Sequence, residues 1–179
     1  MVAWNVVVAW GLFALAAGWG YLFLSGLVWG AGWAPTRKKQ LETAASLLQL
    51  KEGDSVVDLG SGFGGALIFF AGRYGVLGTG VEVDPLRCYL ARMKAGRQGV
   101  SERVSIRRGN LLDADLRGSS KVFCFLTPLL MRKLQEKAGR EMPEGGRVVS
   151  VEHRFPDWKP VESLENVHLY VIGRRGDPD

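Results

Sequence analysis

Ser55-Val56-Val57-Asp58-Leu59-Gly60-Ser61-Gly62-Phe63-Gly64-Gly65 is the stretch that decides the fold. A short apolar run stopped by clustered glycines reads as a buried strand followed by a tight turn. Glycine there permits left-handed backbone and lets a ligand lie against bare main chain. The next segment, 64–74, reads as a helix. Working outward, 38–50 is predicted as an earlier helix, with Leu41, Ala44, Ala45 and Leu48 at helical spacing. Downstream, 77–83 reads as strand and 85–98 as helix with Pro85 in its first turn. Strands follow at 103–108 and 121–126, then a helix at 128–140, then strands at 147–152 and 167–172. This alternation predicts an α/β fold: a doubly wound, mostly parallel sheet covered on both faces, with ligands at the carboxyl ends of its strands.

The glycine cluster limits the ligand. Gly60, Gly62 and Gly65 match the dinucleotide pattern G-x-G-x-x-G, which alone is a weak signal. Asp58, two residues before the first glycine, points elsewhere: a carboxylate there would repel a pyrophosphate and suit a cationic group. S-adenosylmethionine, with an ammonium and a sulfonium, fits better.

Asp58, Gly60, Gly62 and Gly64 complete the pattern D-x-G-x-G-x-G, and here the chain resembles the Rossmann-like, seven-strand class I S-adenosylmethionine-dependent methyltransferases. The resemblance continues at Val81-Glu82-Val83-Asp84, where it implies that Glu82 binds both ribose hydroxyls. A carboxylate can accept two such hydrogen bonds. It continues at Arg108-Gly109-Asn110-Leu111-Leu112, where Asn110 takes the place set against the adenine amino group. Ser61 in the glycine loop and Leu111 beside Asn110 complete the expected cofactor set.

A narrower resemblance rests on Ala34-Pro35-Thr36, Phe125-Leu126-Thr127-Pro128, Arg147-Val148-Val149-Ser150 and Phe155-Pro156-Asp157-Trp158. These look like the group holding the archaeal broad-specificity protein-lysine methyltransferase. The same group holds the membrane-anchored mitochondrial enzymes that act on the ATP synthase c-subunit and the adenine nucleotide translocase. Asp157 stands where that group usually has glycine. The resemblance implies that Thr36 helps hold the methionine end of the cofactor, and that the substrate is a lysine. Thr127, Glu152 and His153 fall at the carboxyl ends of the fourth and fifth strands and are the candidate catalytic residues. Phe155 and Trp158 either line an amine channel by cation–π contact or cap the sheet.

Charge is distributed unevenly. The chain has 179 residues, 23 Lys+Arg against 18 Asp+Glu and a net charge of +5, yet its first charged side chain is Arg37. Five of its six tryptophans (Trp4, Trp10, Trp19, Trp29 and Trp33) lie before that point. Such a stretch is no solvated surface helix. It is expected to be a transmembrane anchor over 1–33, ahead of a methyltransferase domain over 34–179; a buried core helix and a signal peptide are the alternatives. Arg37, Lys38 and Lys39 after the span put the domain on the cytoplasmic side, at a prokaryotic plasma membrane. Trp29 and Trp33 would sit at that interface. The small-residue pairs Ala14/Gly18, Ala16/Gly20 and Gly26/Gly30 could support self-association.

The expected partners are therefore the bilayer and a membrane or membrane-associated protein substrate, with no nucleic acid. Arg87, Arg92, Lys94 and Arg97, and Arg132, Lys133, Lys137 and Arg140, read as solvated helix faces, with anionic headgroups as the next candidate. Cys88, Cys124, His153 and His168 lack the spacing of a zinc site, and both cysteines are expected to be buried and unbridged. Two other functions stay open: a small-amine or phospholipid-headgroup N-methyltransferase, and a non-catalytic cofactor-binding membrane assembly protein.

Overall fold

Valine-rich pairing and glycine stops shape the sheet that carries the site. A computed structural model describes the backbone over residues 2–29 and 34–173, and the side chains over 4–21 and 34–173. The chain forms two compact units, Met1–Ala34 and Pro35–Asp179.

The second unit opens with helix α2 (Lys38–Leu48). Then come β1 (Ser55–Leu59), α3 (Gly65–Tyr74), β2 (Leu77–Glu82), α4 (Pro85–Arg97), β3 (Val104–Arg108), a 3-10 turn at Leu111–Asp113, β4 (Lys121–Cys124) and α5 (Pro128–Glu141). It ends with β5 (Arg147–Val151), β6 (Glu162–Leu164) and β7 (Val167–Val171). The seven strands lie in the order β3-β2-β1-β4-β5-β7-β6. Strands β1 to β5 pair in parallel; β7 runs antiparallel to β5 and β6 to β7. Strand β6 and the 3-10 turn are additions to the sequence reading. All three β6 residues are exposed, so no apolar alternation marks it.

Successive side chains on a strand point to opposite faces, and the core follows that period of two. Phe123 joins one cluster with Leu41, Leu48, Phe70 and Ala91 from α2, α3 and α4. Its neighbours Val122 and Cys124 join the other, with Met131 and Leu134 from α5 and with Tyr170. Cys88 and Cys124 are buried and free, as expected. Burial pushes both thiols up from their ordinary range.

Helix α2 runs antiparallel to β5. At the amino end of β5, Arg147 donates Nε and Nη2 to the Leu47 carbonyl at 2.9 and 2.7 Å. Just past its carboxyl end, Glu152 accepts from Gln40 Nε2 at 2.9 Å. The N-terminus of α2, with Thr36 before it, therefore lies at the carboxyl ends of the strands.

Two of the eight basic residues read as solvated depart from that expectation. Arg87 is 5% exposed and its Nε lies 3.4 Å from Asp84 Oδ2. Lys137 is 6% exposed and bonds both oxygens of Glu141 at 2.7 Å. In both cases a carboxylate three or four residues away on the same helical turn allows the cation to be buried.

In the first unit, residues Val2–Trp29 form helix α1, with no acidic residue in its first turn and no basic residue in its last. The side chains of Trp4, Val7, Trp10, Phe13, Leu15 and Trp19 are all exposed. Among the described residues, however, no helix is long and apolar enough to cross a membrane, so the expected transmembrane helix is not met there. Asn5, three indoles, Tyr21 and the glycines at 11, 18 and 20 dilute the aliphatic residues over 4–21. The Trp29 and Trp33 interface and the Gly26/Gly30 pair lie outside the described side chains. Gly18 and Gly20, from the other two pairs, have open space where a Cβ would stand.

Candidate cofactor site and substrate face

Three glycines after β1 take left-handed backbone: Gly60 (φ +82), Gly62 (φ +52) and Gly64 (φ +70). The loop they form folds back across β2. Gly60 and Ser61 both donate their backbone N–H to the Val81 carbonyl, at 2.9 and 3.1 Å. A Cβ on Gly60 would stand 2.8 Å from Leu126 Cδ2, so the first glycine is needed for space as well as conformation.

The loop is fastened by an acidic residue from the next strand. Glu82 is 5% exposed; its Oε2 accepts the Gly62 N–H at 2.8 Å and its Oε1 accepts the Asp84 N–H at 3.0 Å. A carboxylate offers about four acceptor positions, so two remain for a diol. Asp84 in turn caps α4, accepting from Leu86 and Arg87 at 2.9 and 3.1 Å ahead of Pro85. Asp58 is 3% exposed. Burial first, and the Glu82 charge second, push its carboxyl up to about 8. Two acidic groups are thus buried close enough for one to act on the other, an arrangement that a cationic ligand would relieve.

At the end of β3, Asn110 caps the 3-10 turn by accepting the Leu112 N–H on Oδ1 at 3.0 Å, and Leu111 is half-buried beside it. Thr36 is half-buried ahead of α2. Thr127 caps α5 without using its hydroxyl for the cap. Glu152 and His153 follow β5, both exposed. The sheet order brings all of these, with the glycine loop, to the carboxyl ends of β1 to β5.

Does this set suit S-adenosylmethionine? One observation tests it directly: Ser61 Oγ is buried and has no hydrogen-bond partner among the described residues. A buried hydroxyl without a partner inside a glycine loop fits a polar ligand that completes it. The buried carboxylates of Asp58 and Glu82 fit an ammonium and a ribose.

Phe155 and Trp158 cap the fold. Phe155 is 3% exposed; its ring centroid lies 4.6 Å from Tyr170 and 5.1 Å from Trp158, and its N–H donates to the Tyr170 hydroxyl at 3.1 Å. Trp158 sits against Gly139, where a Cβ would stand 3.1 Å from its ring. Asp157, in the place of the group's usual glycine, exchanges two hydrogen bonds with Gln135 at 2.8 and 2.9 Å. The departure is thereby accounted for: Asp157 ties this cap to α5.

Two contributors went unread in the sequence. A Cβ on Gly80 would stand 2.6 Å from Ser61 Oγ, so the loop lies directly on β2. Glycine inside a strand marks such close approach and is the signal that could have found it. The second is Gln40, whose side chain reaches across the chain to Glu152. A cleft lined by residues including Gln49, Glu144, Arg147 and Glu162 opens at the opposite end of β5 and contains none of the expected site residues.

Comparison with known proteins gives a consistent picture. The family model described as the ANTKMT methyltransferase domain matches residues 58–162. Over 143 residues the chain is 38% identical to the adenine nucleotide translocase lysine N-methyltransferase of Mus musculus, covering 77% of this chain and 62% of that one. The chain thus spans less than two thirds of that relative's length. A protein-lysine N-methyltransferase of Saccharolobus islandicus is 31% identical over 150 residues, covering 79% of this chain and 93% of the relative. Among solved structures, an RNA methyltransferase from Salinibacter ruber in complex with S-adenosyl-L-homocysteine superposes with a TM-score of 0.76 at 31% identity. It covers 82% of this chain and 98% of that one.

Proposed function

The chain belongs to the ANTKMT methyltransferase domain family, and from that premise we propose that it methylates the ε-amino group of lysine in a protein. S-adenosyl-L-methionine is the methyl donor. Bound at the glycine loop, it supplies an activated methyl group on a sulfonium. Thr36, Asp58, Gly60, Ser61, Gly62, Gly64, Glu82, Asn110 and Leu111 would hold it. Asp58 takes the ammonium, Glu82 the ribose, and Asn110 with Leu111 the adenine. The protein's share of the work is orientation and exclusion of water. A lysine ammonium, with an ordinary pKa of about 10.4, must lose a proton before it can attack. Thr127, Glu152 and His153 stand at the strand ends where that amine would arrive.

The observation that carries the lysine reading is the 31% identity across 93% of the Saccharolobus islandicus protein-lysine methyltransferase. A second reading, RNA methylation, is favoured by the Salinibacter ruber structure. Incubating the protein with labelled S-adenosylmethionine and, in parallel, membranes, a soluble protein extract and total RNA separates these. Label on lysine, located by mass spectrometry, supports the proposal; label in RNA alone, or in lipid alone, overturns it.

Membrane attachment through α1 is the finer part of the proposal. It is supported by the absence of charge before Arg37 and by the exposed apolar side chains around α1. A helix that is apolar all round is normally covered by protein or lipid. The substrate would then be a protein in or at that membrane, facing a domain on the cytoplasmic side, and the pairs Ala14/Gly18 and Ala16/Gly20 would be the place for self-association. Flotation of the full chain with liposomes tests attachment; a chain that stays in the dense fraction refutes it.

A further inference from the structure

Three of the four non-glycine residues with left-handed backbone among the described residues meet at one place: Glu152 (φ 64), Glu165 (φ 52) and Asn166 (φ 60). At Glu165 and Asn166 this is the ordinary backbone of a two-residue hairpin turn joining β6 to β7; at Glu152 it persists because the surroundings over-determine it. The surroundings here are specific. Glu152 donates its N–H to the Asn166 carbonyl at 2.7 Å, and Asn166 Nδ2 donates back to Glu152 Oε2 at 3.1 Å. Gln40 Nε2 donates to Glu152 Oε1 at 2.9 Å. Gln40 is itself buried, at 7% exposed, and its Oε1 accepts the Arg37 N–H at 3.1 Å, next to Thr36. Lys39 forms an ion pair with Glu165 in the hairpin turn. The buried His168 ring, on the neighbouring strand β7, shares a hydrogen bond with Ser163 Oγ at 2.9 Å.

Each oxygen of Glu152 is therefore held by a carboxamide. Amides fix a carboxylate without neutralising it; an arginine or lysine in their place would satisfy the charge and repel an arriving cation. The residue remains exposed, at the carboxyl end of β5 and beside the N-terminus of α2.

We infer that Glu152 receives the positively charged amine of the substrate, and that Gln40 and Asn166 are positioning residues that hold its carboxylate for that purpose. The inference rests on the amine-methyltransferase reading above. It adds the group that recognises the ammonium and the two that aim it.

The test uses the full chain, poly-L-lysine as acceptor and S-adenosyl-L-homocysteine as cofactor probe. Glu152→Gly suits the backbone at φ 64 and removes the side chain without backbone strain, so a merely structural brace would show up as a changed melting temperature with turnover retained. Glu152→Gln keeps the shape and removes the charge. Asn166→Gly likewise suits its backbone and removes only the side-chain bond. Both Glu152 variants are expected to raise KM for poly-L-lysine at least tenfold, and Gln40→Ala and Asn166→Gly about threefold to tenfold. Affinity for S-adenosyl-L-homocysteine stays within twofold in all four. The salt dependence of KM flattens in Glu152→Gln. KM within twofold of wild type in Glu152→Gln overturns the inference, as does a loss confined to cofactor affinity. Wild-type protein that methylates no amine at all sinks the functional reading, and this inference with it; active wild type with indifferent variants sinks the inference alone.

Discussion

Glu82 Oε2 accepts the backbone N–H of Gly62 at 2.8 Å, twenty residues earlier in the chain. The carboxylate assigned to the ribose is thus also a clasp on the glycine loop. Glu82→Ala should leave the Gly62 and Asp84 N–H groups without their acceptor, at about 1–3 kcal/mol for each buried donor. The expected result is a melting temperature lower by several degrees, together with at least a tenfold loss of S-adenosylhomocysteine affinity by calorimetry. Glu82→Gln, which keeps one acceptor oxygen, should fall between. A variant that loses affinity while melting like wild type would show that the clasp is idle.

Asp58 is expected to behave in the opposite sense. Its folded pKa, about 8, lies above the ordinary 3.8. The folded state therefore holds a proton that the unfolded state releases, and stability is lost as pH rises from about 4 to about 8. Asp58→Asn should raise the melting temperature of the ligand-free protein, with a gain that grows from pH 5 to pH 8. It should also weaken binding of the cationic cofactor at least tenfold. Thermal melts across that range, paired with calorimetry, check both halves.

Gly80→Ala places a methyl group where Ser61 Oγ lies 2.6 Å and Ser61 Cβ 2.8 Å away. Overpacking of this kind costs about 1–3 kcal/mol. The loop is the part able to move, so cofactor affinity should fall even though Gly80 lies outside the glycine motif. Adding Ser61→Gly should recover part of the stability. No recovery would mean that the Ile106 side chain, 2.8 Å away on the other side, is the true obstacle.

Breaking the Asp84–Arg87 pair should be costly. Removing one partner of a buried ion pair typically costs about 3–5 kcal/mol. Arg87→Ala is expected to show that loss by urea denaturation, whereas Lys38→Ala, which removes an exposed partner of Glu42, should change stability by less than about 1 kcal/mol.

Local signals made the parallel core legible. Strand β1 and the glycines after it announce themselves by composition, and Pro85 and Pro128 mark the starts of α4 and α5. What stayed hidden depends on pairing across long separations. Gln40 and Glu152 are 112 residues apart, and nothing local to either suggests the bond between them. Arg87 and Lys137 looked like surface cations because counting basic residues along a helix ignores the carboxylate one turn away. Strand β6 carries no alternation because it is an edge strand exposed at every position. The glycines of β2 were visible, but their reason lies in Leu67 and Ser61 from neighbouring segments.

Helix α2 is pinned at both ends to the same strand, by Arg147 on Leu47 and by Gln40 on Glu152. It works as a ruler. The number of residues between Gln40 and Leu47 sets how deep Thr36 sits at the mouth of the site. One residue inserted there would rotate one pin away by about 100°. Length, more than side-chain identity, is what this helix must keep, and drift in its exposed positions should be far better tolerated than a single insertion.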